Sequence, residues 1–170
     1  MSRGFVKEDD QQEVPIVHPR AHLPAGVSNY VTQAGMNELL AEKQGLIDEK
    51  EDLSSDSESE KQIALNHINA KLQLLNSRIA EAKIIDLSEQ PQNEVRFGAF
   101  VTLKIETTSS IQTFQIVGVD EANVSKGKIS FLSPLAQVLT NKKIGEKAIL
   151  KQGKENRVFE IMDIAYSAEQ

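Results

Sequence analysis

The sequence predicts an α+β protein in two parts, an N-terminal antiparallel coiled-coil helical hairpin followed by a C-terminal domain of one antiparallel sheet with one short helix. Three observations carry this expectation. Apolar residues recur by sevens between Met36 and Ala82. Beyond Asp86 the apolar period shortens to two. Between the two stripes of the first part lies Lys50-Glu51-Asp52-Leu53-Ser54-Ser55-Asp56-Ser57-Glu58-Ser59-Glu60, where turn formers and acids gather and the stripe fails.

Taken in order, residues 1–28 read as a flexible leader, because Pro15, Pro19, Pro24 and Gly26 interrupt any regular element and Asp9 to Glu13 is polar. Val14, Ile16, Val17 and Leu23 are its apolar residues with the capacity to dock. Residues 29–90 form the hairpin. Tyr30-Val31-Thr32 opens the first helix with Thr32 as N-cap, and Met36, Leu39, Leu40, Leu46 and Ile47 share one face. Gly45 costs about 1 kcal/mol of helix propensity, so this helix needs a partner. The second helix supplies one. Leu65, Leu72 and Ile79 repeat at one heptad position, with Ile68, Leu75 and Ala82 at the other. A bend near residues 53–57 folds the two arms together, each about 30 Å long at 1.5 Å per residue.

Residues 91–170 form the second part, entered through a linker marked by Pro91 and Asn93. Ala99, Val101, Leu103 and Ile105 alternate on one strand face, Ser109-Ser110 is a turn, and 114–119 and 128–132 are further strands. Ser133 before Pro134 is an N-cap followed by proline at the first helical position, giving a short helix to Leu139. Asn141 and Gly145 end it, and strands at 147–151 and 157–166 complete the domain.

Composition narrows the function. No apolar run approaches the ~18 residues of a membrane span, the charged N-terminus lacks a signal-peptide core, and there are no cysteines. A cytoplasmic, membrane-free protein is expected. The net charge of −6 is unevenly placed: residues 34–93 hold 6 basic and 12 acidic side chains, against 3 and 4 before them and 10 and 9 after. Autonomous binding to a nucleic-acid backbone wants clustered Lys and Arg instead. Residues 48–60 alone carry seven carboxylates, Asp48, Glu49, Glu51, Asp52, Asp56, Glu58 and Glu60, against one amine, Lys50. Such a tip either keeps the hairpin end solvated or carries hard oxygen ligands for Mg²⁺ into a host cavity.

The chain resembles the Gre-type (GreA/GreB) bacterial transcript cleavage and transcription elongation factors over about residues 29–166. The resemblance rests on Asn29 to Met36 at the opening, on Arg78 to Asp86 at the close of the second helix, and on Phe97-Gly98-Ala99-Phe100-Val101-Thr102. It rests further on Ile116-Val117-Gly118-Val119-Asp120-Glu121-Ala122, Ile129-Ser130, Ser133-Pro134-Leu135-Ala136, Gly145-Glu146 and Phe159-Glu160-Ile161, in the family's order. It implies an FKBP-like C-terminal domain that docks on the rim of RNA polymerase's secondary channel. It also implies a coiled coil that reaches down the channel toward nascent RNA, and tip acids that share Mg²⁺ with the polymerase active centre. The factor is then no enzyme and holds no tightly bound cofactor; as a monomer it stimulates the polymerase to cut backtracked RNA.

The tip departs from the family's Gly-Asp-x-x-Glu-Asn-Ala-Glu-Tyr pattern. Asp52 stands for the aspartate, Ser55 for the glutamate, Asp56 falls one residue late, and Glu58 matches the following acid only across a gap. The metal-directing candidates carried by the resemblance are therefore Asp52 and Asp56, with Glu51 and Glu58 beside them. A member with so degenerate a tip is alternatively a non-cleaving regulator or inhibitor of the channel. Ser133, Pro134, Leu135 and Ala136 are partner-contact candidates by the same resemblance, and Lys142 and Lys143 could pair with acids on a partner.

Other chemistries find little support. His18, His22 and His67 make no ligand set, and neither a hydrolase triad nor a glycine-rich phosphate loop is present. Prolyl isomerisation would need an aromatic-walled pocket from Phe97, Phe100, Phe114, Phe131, Phe159 and Tyr166, several of which the core requires. A self-associating coiled-coil scaffold is the remaining alternative.

Overall fold

The computed structural model describes residues 15–167; the first fourteen residues of the expected leader, Val14 among them, and the last three of the chain lie outside that range. Residues 15–28 form neither helix nor strand, and their one turn is closed by the Val27 N–H donating to the Pro24 carbonyl at 3.2 Å.

Regular structure starts with β1 (Asn29–Val31), α1 (Gln33–Glu51), α2 (Glu58–Glu81) and β2 (Ala82–Ile84). Thr32 caps α1, its Oγ1 accepting from the Gly35 N–H at 2.9 Å, and Ser57 caps α2 by accepting from the Glu60 N–H. Strands β1 and β2 pair in parallel, Asn29 opposite Ala82, so the start of α1 meets the end of α2 and the helices run back against each other. The short strands replace the helical ends expected from sequence at Tyr30-Val31 and Ala82. Tyr30, Val31 and Ile84 have β propensity, and the pairing satisfies backbone groups that the helix ends would leave open.

One seam joins the helices. Leu39 and Leu46 of α1 and Ile68 and Leu75 of α2, each pair seven residues apart, are buried, with Met36, Leu53, Leu72, Ile79 and Ala82 packed around them. The remaining faces of the pair look outward, as the exposed Leu40, Ile63 and Leu74 show.

The C-terminal part comprises β3 (Phe100–Ile105), β4 (Ile111–Val117), β5 (Lys128–Ser130), α3 (Pro134–Leu139), β6 (Lys147–Gln152) and β7 (Glu155–Ala165). Their spatial order is β5-β4-β3-β7-β6. The alternation read from sequence is borne out on β3, where Val101, Leu103 and Ile105 point into the core with Ala99 just before the strand. Helix α3 starts where Ser133 and Pro134 place it, the serine Oγ accepting from the Ala136 N–H at 3.3 Å, and it contributes Ala136 and Leu139 to the same core.

One pairing corrects the expected antiparallel sheet, and a bulge modifies a strand that is antiparallel as expected. Strand β5 pairs in parallel with β4, because residues 118–127 cross over instead of turning back, an unusually short route for a parallel connection. Strand β7 carries a bulge: Thr102 faces Asp163 but Leu103 faces Ile161, leaving Met162 as the extra residue. The bulge shifts the inward phase of β7, so that Phe159 and Ile161 are buried before it and Ile164 and Tyr166 after it. The Tyr166 hydroxyl donates to the Glu94 carbonyl and accepts from the Arg96 N–H at 2.9 Å, which ties the end of the chain to the segment entering the sheet.

Candidate functional site: an acidic tip and a charged joint

Seven carboxylates collect at the free end of the helical pair because helix capping sets the bend there. The last turn of α1 holds Asp48, Glu49 and Glu51, and Asp52 is its C-cap. Asp56 lies in the bend, and Glu58 and Glu60 open α2. All seven are exposed, and among the described residues none of them forms a salt bridge.

The two helix ends treat these acids differently. A helix N-terminus carries partial positive charge, so Glu58 and Glu60 sit where acids are ordinary helix-stabilising residues. A C-terminus carries partial negative charge, so Asp48, Glu49, Glu51 and Asp52 sit where each costs roughly 0.3–1 kcal/mol before salt screening. Capping explains the α2 acids and does not explain those of α1.

Ser55 holds the position at which the resemblance expects a glutamate, and it is engaged locally. Its hydroxyl donates to Glu60 Oε2 at 3.1 Å and accepts from the Ser57 N–H at 3.2 Å. The structure brings Asp52, Asp56, Glu51 and Glu58 to one end of the arm. Among the described residues, however, no three acids or histidines converge into a set able to hold a metal ion by themselves. Exposed carboxylates fit Mg²⁺ as partial ligands, since this ion keeps several waters and takes one or two protein carboxylates.

The expected partner-contact residues divide by burial. Pro134 is exposed and Ser133 and Leu135 are half-buried, but Ala136 has no exposed surface and is a core residue, unable to meet a partner directly. That is a correction, and its cause is helix geometry: Ala136 and Leu139, three apart, form the inward stripe of α3. Lys143 is exposed with its backbone N–H held by Glu146, whereas the Lys142 carbonyl accepts from the Val95 N–H at 2.9 Å. His67 is a half-buried residue of α2.

At the other end of the arm the structure assembles a charged joint that sequence reading did not single out. Residues 117–121 press against β1 so closely that a Cβ on Gly118 would lie 2.4 Å from the Tyr30 carbonyl oxygen. Beside this contact the Glu121 carboxylate, 6% exposed, accepts from Thr32 Oγ1 at 2.7 Å and pairs with Lys128 at 3.3 Å. It thus holds the residue that caps α1. Asp120 takes two cations, with Arg20 Nε donating to Oδ1 at 3.0 Å and Arg78 Nε at 3.1 Å from Oδ2, the latter an ion pair without good hydrogen-bond alignment. Arg20 also makes a two-pronged bond to Glu42, at 2.8 and 3.1 Å, and this bond is the main reason its guanidinium pKa is raised. The rings of Tyr30, Phe97 and Phe131, with centroids 5.6–5.8 Å apart, close the other side of the joint. The one sequence signal for the joint was a glycine inside an apolar strand end, Val117-Gly118-Val119, which marks close backbone approach. No helix of the described residues is long and apolar enough to cross a membrane.

Comparison with known proteins places this architecture. Residues 90–166 match the family model of the C-terminal region of transcription elongation factor GreA/GreB. Transcription elongation factor GreA of Hyphomonas neptunium is 38% identical over 119 residues, which cover 68% of this chain and 74% of that protein. GreA of Maricaulis maris is 37% identical over 99 residues, 58% of this chain and 63% of that one. The match to the latter thus spans less than two thirds of the relative's length. Among solved structures, a GreA/GreB elongation factor from Nitrosomonas europaea aligns over 88% of this chain and 100% of its own, with 18% identity and a TM-score of 0.41. GreA factor homolog 1 of Thermus thermophilus aligns over 81% and 99%, with 22% identity and a TM-score of 0.38. Both superpositions are loose, and the assignment rests on the sequence matches: the chain belongs to the GreA/GreB family of transcription elongation factors.

Proposed function

We propose that this protein regulates transcript elongation by binding RNA polymerase through an FKBP-like C-terminal domain, and that its coiled-coil hairpin carries the acidic tip through the secondary channel. The observation that carries the reading is the tip itself: exposed acids at the far end of α1, set against its helix dipole and, among the described residues, in no salt bridge. Asp48 accepts from Gln44 Nε2 at 2.8 Å, but local stability gives no reason to put Glu49, Glu51 and Asp52 there, and delivery of negative charge into a metal-bearing cavity does. Asp52 and Asp56 are the residues assigned to the shared Mg²⁺, with Glu51 and Glu58 as flanking charge. The ion would supply charge stabilisation for hydrolysis of backtracked RNA, and the chemistry would remain the polymerase's own. In this reading the chain is an accessory factor, not an enzyme, and acts as a single copy. Ser133, Pro134 and Leu135 are the docking candidates left on the sheet domain once Ala136 is assigned to the core.

A second reading is favoured by Ser55. A hydroxyl is no anionic metal ligand, and this one is bound to Glu60 and the Ser57 backbone. A factor so built would occupy the channel without promoting cleavage. RNA cleavage by stalled, backtracked polymerase with wild type, Asp52→Ala and Asp56→Ala separates the two. Cleavage that is lost in either variant supports the first reading. A wild type that binds core polymerase yet leaves cleavage at its intrinsic rate or below supports the second, and no binding to core polymerase at low salt removes both.

A further inference from the structure

We propose that residues 17–28 are a strap and that Arg20 is its clasp, a positioning residue that holds the two-helix arm at a fixed angle to the sheet domain. Three bodies meet at this side chain. Arg20 belongs to the segment that precedes β1, Glu42 to α1, and Asp120 to the loop leaving β4, and Arg20 bonds both acids at once. A planar guanidinium suits this task because its donors leave in fixed, divergent directions. The site is also sheltered: the side chain of Arg20 is 19% exposed and that of Asp120 only 6%.

Two further contacts hold the same segment. Arg78 of α2, already paired with Asp120, donates to the Ala21 carbonyl, and Lys83 of β2 donates to Ser28 Oγ at 3.2 Å. Before the clasp, Val17 and His18 line a cleft with Leu46, His67, Lys71 and Leu74, so the strap runs along the outside of the arm before reaching its base. The segment thus touches α1, α2, β2 and the β4 exit, although it has no regular structure of its own.

The need for such a strap follows from leverage. The 19 residues of α1 make a lever of about 28 Å at 1.5 Å per residue, so a swing of about 15° at the base moves the tip by about 7 Å. Glu121 and the Gly118 contact grip only the start of the arm, close to its pivot. Glu42 lies nine residues further along α1 than Gln33, so a bond made there resists rotation with a longer arm.

The test uses the full chain and needs no polymerase. With no native cysteine, one label at Ser59→Cys near the tip and one at Lys154→Cys in the sheet domain give a unique spin-label pair. Wild type is expected to give one narrow distance distribution by pulsed electron resonance. Arg20→Ala should broaden it at least twofold at unchanged far-ultraviolet circular dichroism, and Arg20→Lys, which keeps the charge but lacks the planar fork of donors, should fall between. Glu42→Gln, which weakens only the bond to α1, should broaden it less than Arg20→Ala, and it decides the matter should Arg20→Ala lose its fold. Distributions as narrow as wild type in Arg20→Ala, or in Glu42→Gln where that variant decides, overturn the proposal.

Discussion

At the tip of the arm seven carboxylates face water with no salt-bridge partner among the described residues, whereas at its base Asp120 and Glu121 are enclosed by Arg20, Arg78, Lys128 and Thr32. The side chains are chemically alike and their energetic settings are opposite. A carboxylate withdrawn from water destabilises the fold unless cations and donors compensate, so each acid at the base arrives with its partners. Acids that stay in water need no partner and remain available to something outside the chain. Composition therefore says little about an acidic residue's role until burial is known.

The largest effect should come from a joint contact that involves no charge, the backbone approach at Gly118. Gly118→Val places a Cβ where only 2.4 Å separates it from the Tyr30 carbonyl oxygen, a backbone atom that cannot swing aside. Overpacking of this kind costs about 3 kcal/mol at the upper end of its usual range. Denaturant unfolding should read that loss. An unchanged midpoint would mean that β1 and the β4 exit separate easily, and the base would then be as unconstrained as the tip.

Asp120→Asn asks whether charge matters at the base beyond shape. It keeps the side-chain outline but leaves Arg20 and Arg78 without their shared counter-charge, and about 2 kcal/mol should be lost. The same exchange at a tip acid should change stability by less than about 0.5 kcal/mol. Equal effects at the two places, measured by the same denaturant titration, would erase the distinction.

How much of this was legible in advance follows the sequence distance of each contact. Helix α3 was readable to the residue because Ser133 and Pro134 write its start within two positions, and β3 because alternation is a property of neighbours. The bend between the helices was readable from its turn formers for the same reason. The tip acids could be found by counting, although their differing relation to the two helix ends needed the capping positions. Apart from the glycine at 118, the charged contacts of the joint could not be read: Thr32 and Glu121 are 89 positions apart, Arg20 and Asp120 are 100 apart, and no local period links them. The parallel β1–β2 pair failed for a related reason, since three-residue strands on either side of two helices carry no pattern of their own. Within β7 the bulge at Met162 breaks the alternation that a sequence reading depends on.

A smaller effect tests the end of the chain as a third kind of polar site, buried but uncharged. Burial raises the Tyr166 pKa above its ordinary value of 10.0, a nearby Glu94 adding to the shift and Arg96 opposing it. Because the folded pKa is the higher one, its contribution is intact below about pH 10 and is lost as pH rises through the raised folded value. Tyr166→Phe should cost about 1 kcal/mol at neutral pH, by removing the hydroxyl between Glu94 and Arg96, and should flatten the alkaline limb of stability against pH. An alkaline limb that stays as steep in the variant assigns it to other groups.

The smallest change is the most discriminating at the tip, because its sign differs between two acids a few residues apart. Glu51→Gln relieves a negative charge at the negative end of α1 and should stabilise the protein by a few tenths of a kcal/mol. Glu58→Gln removes one from the positive end of α2 and should destabilise it by about as much. Thermal unfolding at low salt should resolve shifts in opposite directions, and raising the salt should shrink both as screening grows. If polymerase-dependent activity falls in the variant that gains stability, then the acids of α1 serve the partner at the helix's expense. If Glu51→Gln instead lowers the melting temperature, those acids hold the bend together, and the tip would join the base as a structural site.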